Sequence, residues 1–467
     1  MLRAQKMKKR KLAIALLSGL ILFAQAHITL AQTVRKTSND KKSISRAQEI
    51  QQGHLQLLSE GVFSLSEVML HDVANPPAAS RFYAYAMLGA YEAIYYAKAN
   101  VPDINGRLHE NPITKSPEPP SQPDLSFCAN YTMLQVGKQI MPSGPMLEER
   151  QKSLVETFRK KYKMSKSTLD AHIAYCQEVA SQVMQYARKD AYNKLSTYKR
   201  YSPSKEEGHW YPTPPEYMAA VEPQWKTIRP FFLDSASQFK PVRPTPFSKD
   251  TTSLFYSQMK EVYTVTKNLT AEQRAIASFW DCNPFAVTYS GHMAIGLKKI
   301  SPGGHWMAIA GIASRKANVS LDSAVLIHTL VALTLHDAFI SCWQEKYNSD
   351  RIRPEAAINK LMDPSWRPLL QTPPFPEYTS GHSVVSSAVS VVLTRLLGDN
   401  FAFTDNSEVY FGLPERDFQS FYQASNEAAI SRLYGGIHYR DACENGVDQG
   451  RNIGNYVLSR MFEPMAH

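Results

Sequence analysis

The sequence predicts an all-α protein, and three observations carry that reading. Apolar residues recur every three or four positions over long stretches, which is the period of a helix face. Alternation of the β kind is scarce. Proline gathers in two segments, six between Val101 and Ser126 and nine between Tyr201 and Pro246, so long ordered loops must join the helices. The 467 residues are 43% apolar and 20% charged, enough for a sizeable core and too little charge for a disordered chain.

The N-terminus reads as a secretory signal over residues 1–31. A basic stretch from Lys6 to Lys11 precedes an apolar run from Leu12 to Ala26, and Thr29-Leu30-Ala31 offers small residues for cleavage. The chain is therefore expected to be exported, periplasmic or secreted. A polar arm is expected over 32–52, and a single domain over 53–467 with N-terminal helices (53–250) and a C-terminal helical half (251–467). The formal charge of +10 is concentrated at the start, since residues 1–31 hold six basic side chains and no acid. The remaining body is near neutral, which excludes a nucleic-acid-binding surface argued from bulk charge.

Helical spacing runs from about Leu55 to Asn100, with Pro76 and Pro77 placed for a helix start. It returns over 147–194 and 251–281, and dominates from His305 onward. The apolar runs Ala324–Leu335 and Val384–Leu397 are short for a membrane span and read as buried core helices, so no span is expected after removal of the signal. The five cysteines are scattered with no C-x-x-C pair, and buried free thiols are expected. The chain alone leaves a homo-oligomer open.

Three segments of the C-terminal half carry chemistry. In the first, Lys346 and Arg353 lie seven residues apart, two turns if the helix continues, before Pro354. Two cations so spaced suit a compact oxyanion. In the second, Glu377-Tyr378-Thr379-Ser380-Gly381-His382 precedes an apolar helix. Ser380 is a favoured N-cap, and a helix N-terminus with Gly381 and His382 beside it suits an anion. In the third, Arg432 stands before a Gly435-Gly436 break, His438 follows the break, and Asp441 is placed to hold the other ring nitrogen of His438. Each segment alone is weak; together they supply every donor a tetrahedral oxyanion needs.

Their order and spacing resemble the signature of the superfamily of vanadium-dependent haloperoxidases and type 2 phosphatidic acid phosphatases. That signature reads K-x6-R-P, then P-S-G-H, then S-R-x5-H with an acid shortly after. Here the matching residues are Lys346 with Arg353-Pro354, Ser380-Gly381-His382, and Ser431-Arg432 with His438 and Asp441, while Thr379 stands where the signature has Pro. Asn75–Arg81, Trp210–Pro215, Phe279-Trp280 and Gly304–Trp306 resemble landmarks of the soluble exported haloperoxidase-like branch.

The resemblance implies a helical bundle of that type with vanadate as cofactor. His438 would be the vanadium ligand, and Lys346, Arg353, Ser380, Gly381 and Arg432 would hold the oxygens. His382 would act as acid–base, with hydrogen peroxide and a halide as substrates. The alternative is a soluble acid phosphatase with no cofactor, in which His438 would attack a phosphate ester and His382 would protonate the leaving oxygen. The absence of later membrane spans disfavours the membrane-embedded phosphatases. His305 and His336 are left without an assigned role.

Overall fold

In a computed structural model the described residues are 46–290, 293–296 and 299–463, so the segment expected to be a signal and the expected arm up to residue 45 lie outside them. Residues 46–54 are helical, although 46–52 were expected in the polar arm. From Leu55 the chain forms one compact unit.

Its first helix, α1, covers residues 55–71. A new helix, α2 (Pro76–Tyr96), then starts where Pro76 and Pro77 were expected to open one, and Asn75 caps it by accepting from the Ala78 N–H. Next come α3 (Leu125–Ile140), α4 (Glu148–Lys160) and α5 (Lys166–Ala187). Helix α3 was not among the expected elements; Asp124 marks its start by accepting from the Phe127 N–H. The second proline-rich stretch, 201–246, forms no long helix and is anchored by buried Trp210, Trp225, Phe231 and Phe232.

The second half holds α6 (Leu254–Lys267), α7 (Ala271–Phe279), α8 (Pro302–Lys316), α9 (Leu321–Ser349) and α10 (Pro354–Leu361). It closes with α11 (Gly381–Leu397), α12 (Phe421–Tyr434) and α13 (Arg440–Phe462). Two small antiparallel hairpins interrupt the helices. One pairs β1 (Val287–Ser290) with β2 (Met293–Gly296), and the other pairs β3 (Phe403–Asp405) with β4 (Arg416–Phe418). The all-α reading holds.

Helix α9 is the axis of the fold. It packs on α2 and α3 toward the N-terminal helices and on α8, α11 and α13 toward the C-terminal ones. It is long and apolar enough to cross a membrane, yet 94% of its most apolar window is buried within the fold, so it serves as a core helix. Asp337, on this helix, accepts from the backbone N–H groups of Phe231, Phe232 and Leu233 at 2.7–3.1 Å. One carboxylate thus fixes the proline-rich stretch on the core. Burial pushes that carboxyl up to about 6, against the pull of the same three donors. The adjacent His336 packs among Phe231, Trp225 and Tyr85, which makes it a core residue.

Helices α11 and α13 pack on each other more extensively than any other pair among the described residues. A Cβ built on Gly450 would meet the Val384 carbonyl oxygen at 2.2 Å, and one on Gly454 would meet the Ala388 oxygen at 2.5 Å. Glycine at these positions brings the two backbones together. All five cysteines are buried free thiols, as expected.

Candidate active site

Lys346 lies in the last turn of α9 and is fully buried. Arg353 would share its helix face only if the helix continued, and it does not. The helix stops at Ser349, Asp350 takes a left-handed conformation (φ 47°), and Arg353 becomes the residue capping α10, with Pro354 as its first residue. Pro354 therefore opens a helix instead of ending one, in keeping with its preset φ and missing N–H. The two cations still converge, because both reach the same extended segment before α11. Lys346 Nζ donates to the carbonyls of Pro376 and Glu377 (both 3.2 Å) and Thr379 (2.5 Å). Arg353 donates from Nε to the Phe375 carbonyl (2.9 Å) and from its guanidinium to the Ile437 carbonyl (2.8 Å).

Ser380 caps α11 as its residue type predicts, accepting from the Ser383 N–H. Gly381 opens the helix. A Cβ there would touch only the Trp343 ring, at 3.8 Å, so the backbone faces open space. His382 follows, half-buried. The Trp280 carbonyl hydrogen-bonds its ring, while its Nε2 is buried and has no partner among the described residues.

The third segment turns as the two glycines require. Gly435 caps α12, and Gly436 has φ +76°, a left-handed conformation that favours glycine. Arg432, one turn earlier, donates to the Trp280 carbonyl at 2.7 Å, and its Nε has no partner among the described residues. Just past the break His438 places Nε2 3.1 Å from the Arg353 guanidinium.

The partner of His438 is not Asp441. Its Nδ1 lies 2.9 Å from Glu377 Oε1, which also accepts from the Tyr439 N–H at 3.0 Å. Asp441 lies in the first turn of α13 and accepts from Arg351 (2.7 Å) and from the Thr245 N–H (3.2 Å). Its connection is indirect, because Arg351 also lies 3.5 Å from Glu377 Oε2. Glu377 stands in the motif segment, and its spacing from His438 carries no local signal. Only the fold brings the two together, across 61 residues.

Gly381, His382, Arg432 and His438 line one cavity of about 40 Å³, walled by Trp343, Phe375, Phe339 and Cys282. Arg353 reaches it beside His438, while Lys346 and Ser380 sit behind the lining. No carboxylate among the described residues forms an ion pair with Lys346, Arg353 or Arg432. Burial lowers Lys346 to about 8 and Arg353 to about 10, against the pull of Glu377 on both and with Arg432 adding to the fall at Arg353. Both His382 and His438 are held well below the usual imidazole range, first by burial and then by the surrounding cations, so both rings are neutral. Burial raises Glu377 to about 7, opposed by Arg351. Three buried cations in and behind the wall of one small cavity repel one another, and an anion held there reduces that cost.

His305 does not line this cavity. It is fully buried and stacks on Trp280 with ring centroids 4.6 Å apart.

A family model described as the VCPO second helical-bundle domain matches residues 359–466. The chain is similar to the crystal structure of a bacterial vanadium-dependent iodoperoxidase, with 43% identity and a TM-score of 0.81 over 87% of this chain and 96% of that one. It also resembles a bacterial vanadium-dependent chloroperoxidase. The holo form is 16% identical (TM-score 0.63, 83% and 93% covered) and the apo form 15% identical (TM-score 0.62, 83% and 94% covered). At those identities the likeness shows the fold alone. No curated protein matches the chain.

Proposed function

The chain belongs to the vanadium-dependent haloperoxidases, oxidoreductases of the superfamily shared with type 2 phosphatidic acid phosphatases, and we propose that it oxidises a halide with hydrogen peroxide at the cavity bounded by His438 and His382. The observation that carries this reading is the gathering of three buried cations, none in an ion pair with a carboxylate among the described residues, with an imidazole whose Nε2 lies against one of them, Arg353.

The residues fit a tetrahedral oxyanion. The orphan N–H of Arg432, the open backbone at Gly381 and the unpartnered Nε2 of His382 all border one space. Vanadate bound there would supply Lewis-acid activation of peroxide. His438 would hold it, with Lys346, Arg353 and Arg432 neutralising its oxygens and Ser380 and the first N–H groups of α11 adding donors.

The chain's own contribution begins at Glu377. Its carboxylate takes the Nδ1 proton of His438 as a hydrogen bond and so leaves the Nε2 lone pair directed at the cavity. His382, neutral and with Nε2 unpaired, is poised to accept a proton from peroxide and return it to the departing oxygen. Trp343 and Phe375 limit water around these groups, and their rings lie within 6 Å of the Lys346 ammonium. Iodide is the halide we propose, supported by the 43% identity to a protein described as an iodoperoxidase.

A paired assay tests the reading. Iodide and bromide oxidation is measured with vanadate and peroxide, and phosphate-ester hydrolysis without vanadate. Halide oxidation that needs vanadate supports the proposal. Ester hydrolysis that vanadate only inhibits would replace it with the phosphatase chemistry.

A further inference from the structure

Behind the cavity wall lies a second cluster that the proposed chemistry does not use. His305, at the start of α8, has Nδ1 3.4 Å from Cys282 Sγ and 3.4 Å from Glu408 Oε1. The three donor atoms lie within 4.8 Å of one another, and all three residues are buried. The opposite ring nitrogen, Nε2, is 2.7 Å from Asp405 Oδ2. Glu408 Oε1 is buried with no hydrogen-bond partner among the described residues, and it points at the same spot. From these contacts we propose that Cys282, His305 and Glu408 form a zinc site, with Asp405 orienting His305 from behind.

Four arguments support it. The first is geometric. Zinc bonds of roughly 2.3 Å to sulfur and 2.0–2.2 Å to nitrogen and oxygen, at tetrahedral angles, put neighbouring ligand atoms roughly 3.4–3.6 Å apart. The two distances from His305 Nδ1 are close to those edges before any ion is present.

The second is the donor set. Thiolate and imidazole with one carboxylate favour zinc over magnesium or calcium, which take oxygen ligands. The third is the tautomer. A proton on Nε2, donated to Asp405, leaves the Nδ1 lone pair for the metal, and carboxylates commonly orient metal-binding histidines in this way. The fourth is charge. Asp405 and Glu408 are both buried beside a single imidazole, and a divalent ion balances the Glu408 carboxylate and a Cys282 thiolate together. Asp405 already has its own donors, the Ser407 N–H and hydroxyl, so it is satisfied in its supporting place.

The cluster joins three separate parts of the chain. His305 belongs to α8, Asp405 and Glu408 to β3 and the turn after it, and Cys282 to the segment following α7. That segment includes Trp280, whose carbonyl receives Arg432 and hydrogen-bonds His382, and Cys282 itself lines the cavity. An ion here therefore holds the wall from which two residues of the site are positioned. The proposal does not depend on the reaction assigned to the cavity.

The test uses the full chain, purified, stripped with chelator and dialysed against Zn2+ or Co2+. Elemental analysis should find zinc retained in stoichiometric amount, and the Co2+ form should show a thiolate-to-metal charge-transfer band in the near ultraviolet. Cys282→Ala should abolish the band, and Glu408→Gln should weaken metal retention at least tenfold. Arg353→Ala, which disturbs only the oxyanion cage, should retain zinc fully. A wild-type chain that takes up neither ion overturns the site and leaves His305 as a buried imidazolium between two carboxylates. A charge-transfer band that persists in Cys282→Ala also overturns it. If Cys282→Ala does not fold, a Co2+ spectrum unchanged by Glu408→Gln has the same force.

Discussion

His438 Nδ1 and Glu377 Oε1 are 2.9 Å apart inside the fold, and that contact decides which nitrogen of His438 faces the cavity. Removing the carboxylate charge while keeping the shape tests its weight. Glu377→Gln should lower vanadate affinity or turnover about 10–100-fold, the usual cost of losing a partner that orients a metal-ligating histidine. Asp441→Asn, which acts through Arg351, should cost less than Glu377→Gln. Vanadate titration beside turnover for the two variants checks the ranking, and equal losses would restore Asp441 to the direct role.

Arg353→Ala should weaken oxyanion binding by about 1.5–3 kcal/mol for each charge-assisted hydrogen bond lost. Part of the loss arises inside the protein, since the Ile437 and Phe375 carbonyls lose their donor. Binding measured with tungstate, which takes the same shape, separates this effect from any change in chemistry.

His382→Ala should behave differently, retaining most oxyanion affinity and losing turnover by about 10²–10⁴, the usual contribution of a positioned acid–base group. A variant that keeps its turnover would remove His382 from the reaction.

The pH dependence of anion binding follows from Lys346. Burial lowers its ammonium to about 8 in the free protein, and an anion beside it favours the protonated form. Affinity should therefore fall as pH rises through that value, by up to about tenfold per unit until the bound-state pKa is reached. Tungstate, whose own charge is constant over that range, serves as the probe. In Lys346→Gln the break should disappear.

The seating of α11 is testable by stability. Gly450→Ala puts a methyl group 2.2 Å from the Val384 carbonyl oxygen, a contact that only movement of α13 away from α11 can relieve. A loss of about 1–3 kcal/mol in thermal or denaturant unfolding is expected, as for other overpacked sites. Oxyanion affinity should drop as well, because Ser380 and Gly381 sit at the start of the displaced helix.

The oxyanion residues were legible in the sequence because each lies at a punctuation mark of local structure. Ser380 is an N-cap, Arg432 and His438 flank a double-glycine break, and Arg353 precedes a proline. The residues that stayed hidden act across the fold. Glu377 reaches His438 only once α13 packs on α11, and nothing in the spacing of Asp441 showed that Arg351 would claim it. His305 was unreadable for the same reason, since its three carboxylate and thiol neighbours come from two other segments. Whether one helix carries both Lys346 and Arg353 was not legible, because the left-handed backbone of Asp350 that ends α9 has no glycine to announce it.

The central claim is that His438 holds vanadate for halide oxidation, and one measurement tests it most directly. Vanadate is titrated into chelator-stripped wild-type protein and into His438→Ala, with iodide oxidation by peroxide as the readout and phosphate as competitor. The account predicts activity that rises from none to saturation with vanadate, falls with added phosphate, and is absent from His438→Ala even where vanadate still binds through the cations. Full activity without vanadate, or turnover near wild type in His438→Ala, would contradict it.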